Sequence, residues 1–171
     1  MKPLLFLDVD GPLNPYMALL GPVPEGYVVH LTRPEGWTAT PYLPVLLRHG
    51  DGAELRKLSG AYELVWASTW MDEANVWIGP HLGLPRLPYV DWQEMHGASA
   101  ADGTYWKTRD IVAYAAGRPF AWVDDEVTDA DRDWIERHHP AAALLLWIDP
   151  RTGLTREDFT ALASWAEALT A

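Results

Sequence analysis

The chain has 171 residues, 49% of them hydrophobic and including 10 Trp, 7 Tyr and 3 Phe; this apolar mass supports a packed core and excludes a disordered chain. Its 24 acidic and 13 basic residues give a formal charge of -11, so nucleic acid or an anionic membrane is attracted only through a local basic site. No cysteine is present, which excludes disulfides, thiolate catalysis and Cys-ligated metal centres.

The length suits a single domain over residues 1–171. Residues 4–7 form a continuous apolar run, as in a strand buried on both faces. The run meets Asp8 at once and is too short for a signal peptide or a membrane span, so a soluble, cytoplasmic protein is expected. Pro and Gly punctuate residues 11–44 and disfavour regular helix there. Residues 27–31 and 45–47 read as strands of a β-hairpin flap within about 12–48. Asp51 is placed to cap a short helix carrying Leu55 and Leu58. Residues 63–67 read as a second buried strand, and 71–79 as a short helix with Ala74, Trp77 and Ile78 inward. Residues 87–90 suggest a weak strand, and Pro88 suits an edge. The spacing of Ile111, Val112 and Ala115 predicts a helix over 105–116, stopped by Gly117 and Pro119. Residues 120–123 and 144–148 read as strands. Between them a helix starts at Thr128, with Trp134 and Ile135 as core residues. Thr155 to Asp158 resembles a capping box, and Phe159, Leu162, Ala166 and Leu169 follow at helical spacing. Most of the tryptophans are expected in the core.

Buried strands alternating with amphipathic helices imply an α/β, Rossmann-like fold: a parallel sheet flanked by helices. Ligands of such sheets bind beyond the carboxyl ends of the strands. The residues there are Asp8 and Asp10, Ser68 and Thr69, Asp124, Asp125 and Glu126, and Asp149, with Lys107 at the start of a helix. A carboxylate attacks phosphorus to give an aspartyl-phosphate, and a second one two residues on handles protons. Clustered carboxylates raise one another's pKa unless a cation neutralises them. An oxygen-only set suits Mg²⁺, while a lysine and a hydroxyl hold the remaining phosphoryl oxygens. A cation near a helix N-terminus is unfavourable by ~0.3–1 kcal/mol, so Lys107 breaks a local rule, as functional residues do.

This constellation resembles the haloacid dehalogenase (HAD) superfamily, mostly Mg²⁺-dependent phosphatases, over nearly the whole chain. Motif one is matched by Phe6-Leu7-Asp8-Val9-Asp10-Gly11, motif two by Ser68 with Thr69 as the competing choice, motif three by Lys107, and motif four by Asp124 and Asp125. The resemblance implies Asp8 as nucleophile and Asp10 as general acid/base. It implies Mg²⁺ held by Asp8, the Asp10 backbone carbonyl and Asp124, with Asp125 assisting and Asp129 a lesser helper. Pro12 departs from the Thr or Val common after the motif-one glycine. Asp10 favours phosphate esters over carbon–halogen bonds. Trp66-Ala67-Ser68-Thr69-Trp70, followed by Ala74-Asn75, resembles the small capless HAD domains found alone in bacteria and attached to RNA-repair proteins.

The gaps between motifs leave no room for a large cap, and an open site suits a bulky phosphate end or closure by a partner subunit. The expected function is Mg²⁺-dependent phosphomonoester hydrolysis through an aspartyl-phosphate. The alternatives are a polynucleotide end phosphatase in RNA repair and a non-catalytic binding module of the same fold. The expected partner is a small phosphorylated substrate or a nucleic-acid end, with no membrane, and an oligomer is possible. A response-regulator receiver also uses Asp, Lys and Ser/Thr, but the Asp-x-Asp order fits it poorly.

Other polar residues read more simply. His138 and His139 are neighbours on a helix and do not share a face, which favours a helix-end role over a metal pair. His30, His49, His81 and His96 lack ligand spacing. Glu126 reads as solvated and Asp149-Pro150 as the end of the last strand. Trp37 in the flap either stacks on a base or sugar or packs the hairpin, and Arg33 reads as a surface arginine.

Overall fold

The computed structural model describes residues 1–92 and 100–170; His96 lies outside them. Four parallel strands form the central sheet: β1 (Leu4–Leu7), β4 (Glu63–Trp66), β5 (Phe120–Asp124) and β6 (Ala143–Trp147). Their order is β4-β1-β5-β6, so β1 is flanked on both sides, with Leu7 opposite Trp66 and Val123. This explains its uninterrupted apolar sequence, since all four residues are fully buried. Leu5 and Leu7 face a cluster completed by α1 (His49–Leu58) and α6 (Arg156–Ala168), through Leu55, Leu58, Phe159 and Leu162. Leu4 and Phe6 face the other cluster, completed by α4 (Thr108–Ala115) and α5 (Asp129–His138), through Ile111, Ala115 and Ile135. Helices thus cover both sheet faces, an arrangement compatible with a Rossmann-like fold. Among the described residues, no helix is long and apolar enough to cross a membrane.

The hairpin pairs β2 (Tyr27–Thr32) antiparallel with β3 (Leu43–Arg48) as a separate ribbon. Its β3 side is anchored: Val45, Leu46 and Leu47 are buried, whereas Val28, Val29 and Leu31 of β2 are exposed. The predicted 71–79 helix is shortened to α2 (Glu73–Trp77), and a second short helix, α3 (Gly79–Leu82), follows it, with Ala74 and Ile78 buried and Trp77 half-buried.

Several expectations are corrected. Asp51 does not cap α1: the helix begins at His49 with Arg48 as its N-cap residue, and Asp51 sits in the first turn, 2.7 Å from the Arg48 guanidinium. The helix predicted over 105–116 starts at Thr108: the residues before it close a tighter turn, in which the Thr108 amide donates to the Tyr105 carbonyl at 3.1 Å, and the Tyr105 amide donates to Asp131 Oδ1 of α5 at 2.6 Å. Residues 87–90 make only a bridge of Tyr89 to Trp66. The tryptophans divide: Trp66, Trp70, Trp92 and Trp122 are buried, several are half-buried, and Trp147 is exposed. The capping boxes at Thr128 (with Asp131) and Thr155 (with Asp158) are formed.

Candidate functional site

Asp8 follows β1 and is nearly buried. Its Oδ1 accepts from the Val9 amide at 2.8 Å, and its Oδ2 lies 3.0 Å from Lys107 Nζ. Lys107 comes from the neighbouring helical layer as the N-cap residue of α4. The same ammonium donates to Asp124 Oδ2 at 2.8 Å. Asp124 ends β5 and is fully buried; its Oδ1 accepts from the Glu126 amide at 2.9 Å and its Oδ2 from the Trp122 indole at 3.3 Å. Trp92, Tyr105 and Trp106 surround Lys107 with ring centroids 5.4–5.9 Å from Nζ, a distance at which aromatic faces attract a cation. The helix-dipole cost at Lys107 is therefore offset by two carboxylates and three rings.

Burial pushes the Asp8 carboxyl well above its usual range, and the Asp124 and Asp10 charges add to this against the pull of Lys107. Burial alone would lower the Lys107 pKa, but Asp124 and Asp8 outweigh it and hold the ammonium protonated.

Asp125 lies beside this pair. Its pKa is pushed up to about 6 by burial and by the Asp124 charge, and its Oδ2 accepts from the Tyr16 hydroxyl at 3.0 Å. Tyr16 opens a 3-10 helix over Tyr16–Leu20; burial and the Asp125 charge push its pKa to about 12. Asp125 fits because residue 11 has no side chain: a Cβ on Gly11 would lie 2.5 Å from Asp125 Cγ. One carboxylate oxygen each from Asp8, Asp124 and Asp125 fall within 4.8 Å of one another. An all-oxygen trio of this kind fits a hard divalent cation such as Mg²⁺.

Asp10 stands apart from the trio. Its Oδ1 accepts from Asn14 Nδ2 at 2.7 Å and its Oδ2 from the Trp70 indole N–H at 2.9 Å. Ser68 is buried two residues beyond β4, with its backbone carbonyl accepting from the Trp92 indole at 3.0 Å. Thr69 beside it is exposed.

The sheet edge thus brings together Asp8, Lys107, Asp124 and Asp125, with Asp10 and Ser68 on adjoining turns. Asp129 is not among them: it is exposed and pairs with Arg132 at 3.5 Å. Glu126 is exposed yet accepts from the Tyr105 hydroxyl at 2.5 Å. Asp149 shapes the turn after β6, accepting from the Arg151 amide. Trp37 bonds within its own loop, to Thr40 Oγ1, and Arg33 is exposed. His138 ends α5 and His139 follows as its C-cap residue. Sequence reasoning missed Asn14, Tyr16 and Trp70. The one available signal was the crowding of polar and aromatic residues just after motifs one and two. A groove of about 740 Å³, lined by Lys57, Phe159 and Glu167 among others, runs between α1 and α6 and contains none of the acidic residues of the site.

No family model matches the chain, and no curated protein or solved structure matches it.

Proposed function

We propose that the protein is a Mg²⁺-dependent phosphomonoester hydrolase of the haloacid dehalogenase type. The observation that carries this reading is the division of labour among the carboxylates. Asp8, Asp124 and Asp125 converge within 4.8 Å, Lys107 joins two of them, and Asp10 is held separately by neutral donors. A purely structural acidic cluster has no need of the separate Asp10.

Asp8 attacks the phosphorus of a phosphate monoester, and the bond to the leaving oxygen breaks as the Asp8–phosphorus bond forms. Asp10 delivers a proton to that oxygen. Asp10 then takes a proton from water, whose oxygen attacks the phosphoryl group, releases inorganic phosphate and restores Asp8. Lys107 and Ser68 supply positive charge and a hydroxyl to the phosphoryl oxygens, at a sheet edge where water is partly excluded. Mg²⁺ bound by Asp8, Asp124 and Asp125 would neutralise the negative charge of the transferred group.

The test is hydrolysis of p-nitrophenyl phosphate with and without Mg²⁺, wild type beside Asp8→Asn. Turnover that needs Mg²⁺ and disappears in Asp8→Asn, with the melting temperature retained, is the expected result. Activity persisting in the variant would remove Asp8 as nucleophile. Failure of the wild type on aryl, alkyl and oligonucleotide 5′- and 3′-phosphates alike would remove the hydrolase reading.

A further inference from the structure

Asp10 is gripped at both oxygens by groups that the reaction outlined above does not use. Asn14 Nδ2 donates to Oδ1 at 2.7 Å and Trp70 Nε1 donates to Oδ2 at 2.9 Å. Both donors are nearly buried, Asn14 at 3% and Trp70 at 7% exposure.

Each donor is itself fixed. The Asn14 Oδ1 accepts from the Leu46 amide of β3 at 2.9 Å, so the amide has one orientation: oxygen toward Leu46, nitrogen toward Asp10. Trp70 is held by the turn that follows Ser68, where the Trp70 amide lies 3.4 Å from Ser68 Oγ and the Met71 amide donates to the Ser68 carbonyl at 3.0 Å. Met71 adopts φ 46°, a left-handed conformation unfavourable for a residue with a side chain. Such strain persists where the surroundings over-determine it, commonly at functional sites.

We infer that Asn14 and Trp70 are positioning residues that clamp Asp10 for proton transfer to the leaving oxygen, an inference that rests on the hydrolase reading. The chemistry of the two donors suits this task. An indole N–H and a carboxamide N–H donate but do not take up a proton at neutral pH. The clamp therefore fixes the orientation of the carboxyl group without itself exchanging a proton with it. A carboxylate offers about four lone-pair directions, so each oxygen keeps one free for substrate or water. Through Asn14, the clamp also ties Asp10 to the hairpin ribbon.

The test exploits leaving-group chemistry. The value of kcat/KM covers the steps up to formation of the aspartyl-phosphate. p-Nitrophenolate leaves with little help from an acid, whereas an alkoxide leaves only when protonated. Trp70→Phe keeps an aromatic ring and removes the donor. It is expected to lower kcat/KM on an alkyl phosphate such as glycerol 1-phosphate about tenfold more than on p-nitrophenyl phosphate. Asn14→Ala removes the other donor without placing a second carboxyl group against Asp10 and is expected to act in the same direction; it also serves if Trp70→Phe fails to fold. Equal losses on both esters in a folded variant would overturn the assignment.

A readout independent of turnover comes from the indole N–H proton resonance of Trp70, identified by its absence in Trp70→Phe. It should move upfield in Asp10→Ala, which removes the acceptor. An unmoved resonance would mean that the clamp is not formed in solution, whatever the activity. A wild type inactive on every phosphate ester, with a resonance that does move, would overturn the hydrolase reading and the proton-transfer role while leaving the contact in place.

Discussion

Lys107 donates its ammonium to the Asp124 carboxylate at 2.8 Å, and both side chains are withdrawn from water. Removing one member of a buried pair leaves the other charge uncompensated, at a cost of about 3–5 kcal/mol. Here Asp8 shares the same ammonium, so Lys107→Met strands two carboxylates. The variant should lose about 3 kcal/mol of stability or more in chemical denaturation near neutral pH, and should lose hydrolysis with it. Unchanged stability would mean that the ammonium contributes little to the native state.

Adding a divalent cation to the free protein should have the opposite effect. A ligand bound only by the native state stabilises it by RT ln(1 + [L]/Kd). Titration with Mg²⁺ is therefore expected to raise the melting temperature of the wild type progressively. Asp124→Asn and Asp125→Asn should each blunt the rise, because each removes one carboxylate of the trio within 4.8 Å. Asp129→Asn serves as the control, since Asp129 is exposed and pairs with Arg132. Equal responses in all four proteins would place the cation elsewhere.

Asp51 sets a pH dependence remote from the acidic trio. Burial pushes its carboxyl from 3.8 to about 6 against the pull of Arg48. One oxygen is buried without a partner while the other meets the guanidinium. A carboxyl whose folded pKa exceeds its unfolded value binds more protons in the native state. Its contribution to stability is thus fully present below 3.8 and is lost as pH rises through about 6. The stability difference between wild type and Asp51→Asn should fall across this window by up to about 3 kcal/mol. Denaturation curves at several pH values check it, and a pH-independent difference would contradict it.

What the sequence disclosed followed from local signals. β1 and β5 were readable because strands covered on both faces are apolar without alternation, and α6 because Thr155 precedes an aspartate by three residues. Asp8 and Asp124 were legible because they follow strands whose carboxyl ends face ligands in such sheets, and Lys107 because a cation at a helix start opposes the helix dipole. The misreadings had two sources. Asp51 had the composition of a cap, but α1 starts two residues before it and Asp51 pairs locally with Arg48, three residues upstream. Tyr105 belonged by pattern to a helix, but Asp131 takes its amide and also accepts from the hydroxyls of Thr108 and Thr128. Trp70 and Tyr16 were not singled out as site residues because their partners lie 60 and 109 residues away in the chain. Nothing local distinguishes an indole that packs from one that donates to a carboxylate.

Gly11 offers the sharpest separation of backbone strain from crowding. It adopts φ +92°, and a Cβ there would meet Asp125 Cγ at 2.5 Å and Asp125 Cβ at 2.6 Å. Gly36, in the flap, adopts a similar φ of +79° with nothing within 4 Å of an added Cβ. Gly36→Ala should cost only the left-handed penalty, about 1–2 kcal/mol, and leave Mg²⁺ stabilisation intact. Gly11→Ala adds to that penalty the displacement of Asp125 from its place beside Asp8 and Asp124. It should therefore lower stability further, flatten the Mg²⁺-dependent rise in melting temperature and reduce turnover more than its stability loss accounts for. Parallel behaviour of the two variants would show that Asp125 yields without consequence, and that the trio does not depend on the missing side chain at position 11.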